Sequence, residues 1–153
     1  MKTARVVLIL VVLLAACSGP DENSPEGVVE RFFDALEDQN RGDVQASLCR
    51  DFRQNVDFDL GDDQKARLNF DLSYEAEDDG DHRDGDTLEV QVYGKINVVL
   101  QSEHVRQEWK MRRDPEAPWT VNVFRVDGQW HVCGVDPLLL GLLNLKETIG
   151  ALE

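Results

Sequence analysis

Between Leu88 and Leu100 every second residue but one is apolar: Leu88, Val90, Val92, Ile96, Val98 and Leu100. A period of two over thirteen residues fits an extended chain with one face buried, and no helix satisfies it. The exception in the series is Gly94, and a glycine in the middle of so long a strand predicts a bulge or sharp bend. The neighbouring segments share the period. Leu68, Phe70, Leu72, Tyr74 and Ala76 alternate with polar residues. Val105, Trp109 and Met111 occupy one face of a further strand, with Arg106, Glu108, Lys110 and Arg112 on the other. Trp119 to Val126 and Trp130 to Val135 are two more strands, joined through Asp127-Gly128, a two-residue hairpin signal.

The chain upstream of these strands has a different period. Ser24-Pro25-Glu26 is a helix start: a capping serine, a proline in the first turn and an acid that the helix dipole favours. Val28, Val29, Phe32, Phe33 and Leu36 then follow at helical spacing. Asp43 is the expected cap of a second short helix through Val44, Ala46, Leu48 and Cys49, and a third turn is expected from Phe52 to Val56. Asp136-Pro137 opens a last helix running through Leu138, Leu139, Leu140, Leu142, Leu143, Leu145, Ile149 and Leu152. Its first part is apolar all round and must bury against the domain or a partner. Helices first and antiparallel strands after predict an α+β domain, its helices packed on a strongly curved sheet of four to six strands.

The first residues are read as an address. Lys2 and Arg5 precede an uncharged run from Val6 to Ala16, too short to span a membrane. The run ends in Leu14-Ala15-Ala16-Cys17, which resembles the lipobox of bacterial lipoproteins. That resemblance implies cleavage before Cys17, a diacylglycerol on its thiol and acylation of the new amino group. The alternative is an ordinary secreted protein with Cys17 near its cut site. The expected organisation is therefore a signal peptide at 1–16, a lipidated tether at 17–24 and one domain at 25–153. The anchored domain faces the extracytoplasmic side of the cell membrane or the outer membrane. Ser18, in place of Asp, favours the outer one where there are two.

Composition then excludes some partners. The net charge is −14 with 42% hydrophobic residues, and loss of Lys2 and Arg5 takes it to −16. A polyanion is repelled by such a chain, which argues against nucleic acid and against anionic lipid headgroups. With Cys17 taken by lipid, Cys49 and Cys133 remain, 84 positions apart in an oxidising compartment, and most simply form one disulfide. Two separate buried thiols are the alternative.

Two stretches resemble a known superfamily. Ser24 to Leu36, with its Phe-x-x-Ala-Leu ending, followed by Gly42-Asp43-Val44-Gln45-Ala46, is similar to the opening helices of the nuclear transport factor 2-like superfamily. Phe124 to Val135, with its Asp-Gly turn and Trp130, is similar to that superfamily's last hairpin. Together with the lipobox, the chain resembles the superfamily's lumazine-binding-protein-like lipoproteins of unknown function. The resemblance implies a cone-shaped fold with a cavity between helix and sheet, and Phe32, Phe33, Leu36, Trp109 and Met111 are the candidates to line it. The fold hosts isomerases, dehydratases and non-enzymatic binders alike. The acid/base patterns of the enzymes do not map onto this chain. His104 and His131 are the histidines on strands, and no catalytic residue is assigned.

Other constellations fall to simpler readings. The run Asp78 to Asp86 fails as a calcium loop, because Gly80, His82 and Gln91 stand where acids are needed, and it is read as a solvated hairpin tip. Asp57, Asp59, Asp62 and Asp63 read the same way, and Trp109, Trp119 and Trp130 read as core. No metal or cofactor is expected. Three functions remain: a non-catalytic module that binds a small molecule or partner protein, a cavity enzyme of isomerase or dehydratase type, and an envelope protein that dimerises through its sheet face or last helix.

Overall fold

The architecture turns on one long strand. The computed structural model describes residues 21, 23–56, 65–77, 80–101, 103 and 106–144. In it β2 (Thr87–Gln101) runs through the middle of a five-stranded antiparallel sheet. One edge of β2 is covered from Val90 to Gln101 by β1 (Lys65–Ala76). The other edge is shared: β3 (Arg106–Arg113) pairs with Gly94 to Gln101, and β4 (Trp119–Val126) pairs with Thr87 to Val92. The changeover falls at Gly94, whose φ of 131° is closed to most side chains. A Cβ there would lie 2.1 Å from the Asp71 carbonyl oxygen of β1. The glycine is therefore where the sheet divides, and the β1 ladder passes it without a register shift.

β5 (Gln129–Val135) completes the sheet by pairing with β4. Asp127 (φ 51°) and Gly128 (φ 77°) make the two-residue turn between them, both left-handed, which matches the twist of the flanking strands. Along β2, Val90, Val92, Ile96, Val98 and Leu100 are buried. The helices lie over that face. α1 (Pro25–Glu37) starts at Ser24, whose side chain accepts from the Gly27 amide at 3.0 Å, and buries Val28, Val29, Phe32, Phe33 and Leu36. Each of these contributes roughly 1.5–3 kcal/mol through burial. Trp119 and Trp130 lie in the same core, while Trp109 and Met111 are half-buried at its β3 end.

α2 (Arg41–Ser47) differs from expectation at its start. Asn40 is the cap, accepting from the Asp43 amide, and Asp43 sits inside the first turn, where the dipole favours a carboxylate. The chain leaves α2 at Leu48, which bridges Val132, and the Cys49 amide donates to the Val132 carbonyl at 2.8 Å. The turn after it is a short 3-10 segment, Arg53–Asn55. α3 (Pro137–Leu143) begins where Asp136 accepts from the Leu138 amide at 2.8 Å. It buries Leu139 and exposes Leu138. The expected continuation to Leu152 lies outside the described residues, as do Cys17, His104, Val105 and the Asp57 to Asp63 loop. Among the described residues no helix is long and apolar enough to cross a membrane.

The outer edge of β1 is occupied by α1 itself. Glu37 accepts from the Phe70 amide at 3.0 Å and Glu26 from the Ala76 amide at 3.1 Å. Just past α1, Gln39 donates to the Ala66 carbonyl at 2.6 Å. Helix side chains thus satisfy backbone groups that an open edge would offer to another strand.

The division at Gly94 has a direct test. Gly94→Ala is expected to cost at least about 2 kcal/mol, from the left-handed φ and the overlap with Asp71. Gly128→Ala, at a left-handed turn facing open space, is expected to cost about 1 kcal/mol. Urea unfolding of the two variants would show the difference.

Candidate functional site

α1 carries a second face besides its apolar one. Arg31, Asp34 and Asp38 follow at spacings of three and four, so they line one side of the helix. α2 turns Asp43, Ala46 and Ser47 toward them by the same rule, and the start of β5 adds Gln129, Trp130 and His131. Together with Asn23, Val28 and Ala35 these residues surround an open cleft of about 430 Å³. Its apolar floor comes from the buried Val28, Ala35 and Trp130. Its rim is charged and carries more carboxylate than cation.

The carboxylates are held unequally. Asp34 is pushed above the usual carboxylate range by partial burial, then by Glu37 and Asp38 beside it. Glu30, one turn back, is raised by burial and by Asp34. Asp43 is fixed by its surroundings: its side chain accepts from the Asn40 side-chain Nδ2, and its carbonyl accepts from the Ser47 hydroxyl at 2.9 Å. Among the described residues no three His, Cys, Asp or Glu side chains are grouped closely enough to hold a metal ion. Spread negative charge of this kind can balance an extended organic cation better than a point charge.

The five residues expected to line a cavity lie elsewhere. Phe32, Phe33 and Leu36 are fully buried in the core, and Trp109 and Met111 pack against its edge. Around Phe33 the interior is filled by rings, with Phe32 and Phe70 edge-on at 5.3 and 5.2 Å and Tyr74 stacked at 6.1 Å. Burial pushes the Tyr74 hydroxyl up, and the nearby Asp34, Glu30 and Glu37 add to this. Ser47 is the buried polar side chain among the described residues. His131 is half-buried on the face away from Trp130 and Val132, and its Nδ1 is enclosed without a hydrogen-bond partner.

The described part of the Asp78 to Asp86 loop is the largely exposed connection between β1 and β2, and it is also tied to the β4–β5 hairpin. The Gly85 amide donates to the Arg125 carbonyl at 2.9 Å, the Arg125 amide to the Asp86 carbonyl at 3.0 Å, and the Gly128 amide to Asp84 at 2.8 Å. The Arg125 guanidinium reaches the His82 carbonyl at 2.9 Å, and the His82 ring stands edge-on to Trp130 at 5.1 Å. Asp84 and Asp86 there accept from the Gly128 and Arg83 backbone amides.

Arg31, Asp34 and Asp38 were open to sequence reasoning through their helical spacing, but the apolar face of the same helix dominates that stretch. Their meeting with Asp43 and β5 depends on tertiary packing.

Comparisons with known proteins add little. No family model matches the chain, and no curated protein matches it. Among solved structures it is similar to one described as the structure of an M. tuberculosis LEH-like epoxide hydrolase. Identity is 14% over 83% of this chain and 93% of that one, with a TM-score of 0.29. A superposition that loose carries no argument about activity. The α+β layout, few helices on a five-stranded antiparallel sheet, is consistent with the nuclear transport factor 2-like cone.

Cys49 and Cys133 join the two walls of the cleft. The first follows α2 and the second lies in β5, and the structure pairs them with Cα atoms 5.0 Å apart. The pairing ties the helix that carries Asp43 to the strand that carries His131. Alkylation of the denatured, unreduced chain is expected to leave both unlabelled. Reduction is expected to lower stability by about 4 kcal/mol in the chain-entropy model.

Proposed function

We propose that this protein is a lipid-anchored extracytoplasmic binding module, non-catalytic, whose cleft between α1, α2 and β5 takes a small organic cation carrying more than one amine. The observation that carries the reading is the convergence of Asp34, Asp38 and Asp43 from two helices on one cleft. A cation that moves in beside Asp34 offsets the burial and the like charges that raise it. Against catalysis stands the aromatic and aliphatic filling of the described interior, where an acid or base of the isomerase type would have to stand. The anchoring half of the proposal rests on the basic start, the apolar run and Leu14-Ala15-Ala16-Cys17. Those features, with the helix and hairpin motifs, support a place among the lumazine-binding-protein-like lipoproteins. The extracytoplasmic side also suits the Cys49–Cys133 pair as a disulfide.

Two measurements test the two halves separately. Cys17→Ser is expected to leave unprocessed precursor and abolish incorporation of labelled lipid in the host cell; continued labelling would overturn the anchor. For the cleft, spermidine titrated calorimetrically into the folded chain is expected to bind with an affinity that falls as salt rises. Asp34→Asn together with Asp43→Asn is expected to weaken it about tenfold or more, since each removes a charge at close range. Binding that ignores both substitutions would refute the cleft as the site.

A further inference from the structure

The sheet face turned away from the helices carries a regular array of positive charge. The registers align β1, β2 and β3 in four rows across the far half of the sheet: Lys65, Gln101 and Arg106; Arg67, Val99 and Glu108; Asn69, Asn97 and Lys110; Asp71, Lys95 and Arg112. Residues directly paired across strands share a face. This face is the solvent one, because the alternate residues Leu68, Ile96, Val98 and Leu100 are buried. Six of the chain's 16 Lys and Arg residues therefore stand together with two of its 30 Asp and Glu. All six are exposed. Strand spacing places them within an area of about 10 by 20 Å.

The carboxylates in and beside the array do not cancel it. Glu108 pairs with Lys110 at 3.1 Å, Asp71 with Lys95 at 3.9 Å, and Asp114, just past β3, with Arg112 at 3.2 Å. These pairs are solvent-exposed and contribute little, so a competing anion can displace them. Of the α1 carboxylates, Glu37 reaches the β1 edge of the array and accepts from the Asn69 side chain at 3.2 Å, while Asp34 and Asp38 line the cleft. A flat surface that meets the array touches its six cations, and acids that act on it only through solvent are screened by salt. The exclusion of anionic headgroups drawn from composition averages over the whole chain, whereas these rows carry more cation than carboxylate.

We propose that the Lys65, Arg67, Lys95, Arg106, Lys110 and Arg112 face docks the domain on an anionic phospholipid surface, as a second membrane contact beside the lipid on Cys17. The choice of a lipid surface over an acidic protein rests on the anchoring reading, which holds the domain at high effective concentration next to headgroups. A flat array repeated over rows suits repeated headgroups, and a basic patch adds an electrostatic contact to a lipid anchor. A second copy docked face to face on this array would set cations against cations.

The test uses a chain that starts at Ser18 and so carries no lipid; every helix and strand among the described residues lies at Pro25 or beyond. It is sedimented with vesicles of phosphatidylcholine alone or with about one-third phosphatidylglycerol. Binding is expected to the anionic vesicles, to fall with rising salt, and to weaken about tenfold or more in Arg67→Glu/Arg106→Glu, at roughly a factor of five per charge. Arg50→Glu, a reversal outside the array, is expected to bind unchanged. Circular dichroism checks that the variants fold, and Arg67→Gln/Arg106→Gln replaces the double reversal if it does not. Equal binding to both vesicle types, no effect of the reversals, or capture by immobilised polyglutamate without vesicle binding would overturn the proposal. Failure of the unaltered chain to take up labelled lipid, with vesicle binding intact, would instead overturn the anchor alone.

Discussion

The close approach of Gly94 to the Asp71 carbonyl is the contact on which the rest of the molecule depends. β2 is long enough to serve two partners in turn on one edge only if its backbone changes course between them. A left-handed residue with no side chain, pressed against β1, makes that change without opening the β1 ladder, which continues in register from Lys65 to Ala76. β3 and β4 can then both pair with β2. The near half of the sheet, with β4 and β5, receives α2 and one wall of the cleft. The far half, with β3, holds the basic rows. One glycine separates the two candidate surfaces.

What could be read from the chain beforehand was whatever repeats locally. The apolar face of α1, the alternation of β1 and β2, the Asp127-Gly128 turn and the five strands all follow from spacing and turn chemistry. One local reading failed because a neighbour competed for the same role. Asn40 stands three residues before Asp43 and caps α2, leaving Asp43 to the first turn. The acids around Asp84 lie on a largely exposed hairpin loop, as their composition implies, and two of them also accept from backbone amides of the β4–β5 hairpin and of their own loop. The cleft was not legible, since its residues run from Asn23 to His131 and meet only after the helices dock. Half of the basic face was legible as the polar side of β3. The other half needed the register with β1 and β2.

The sheet edges explain where the charge goes. An antiparallel sheet with free edges invites pairing with other chains, and each edge here is answered differently. β1 is sealed by Glu26 and Glu37 reaching from α1. β5 is covered by Leu48 and Cys49, and the Cys49–Cys133 pair lies at that seam. β3 pairs with β2 alone among the described strands and carries Arg106, Lys110, Arg112 and Arg113. Sealing β1 with helix carboxylates concentrates negative charge on the α1 side. Guarding β3 with cations concentrates positive charge on the other side.

That division changes what the acidity of the chain means. A net charge describes how a protein behaves at distances where its own geometry no longer matters, in solubility and long-range steering. Contact is decided within about a Debye length, and at that range this molecule has two faces of opposite sign. The helix side, with Asp34 already destabilised as an anion by burial and by Glu37 and Asp38, gains from a cation. The β1–β2–β3 face gains from an anionic surface. If the face rests on headgroups, the cleft on the other side of the sheet is left open to the surrounding medium, so anchoring and ligand capture use different faces and do not compete.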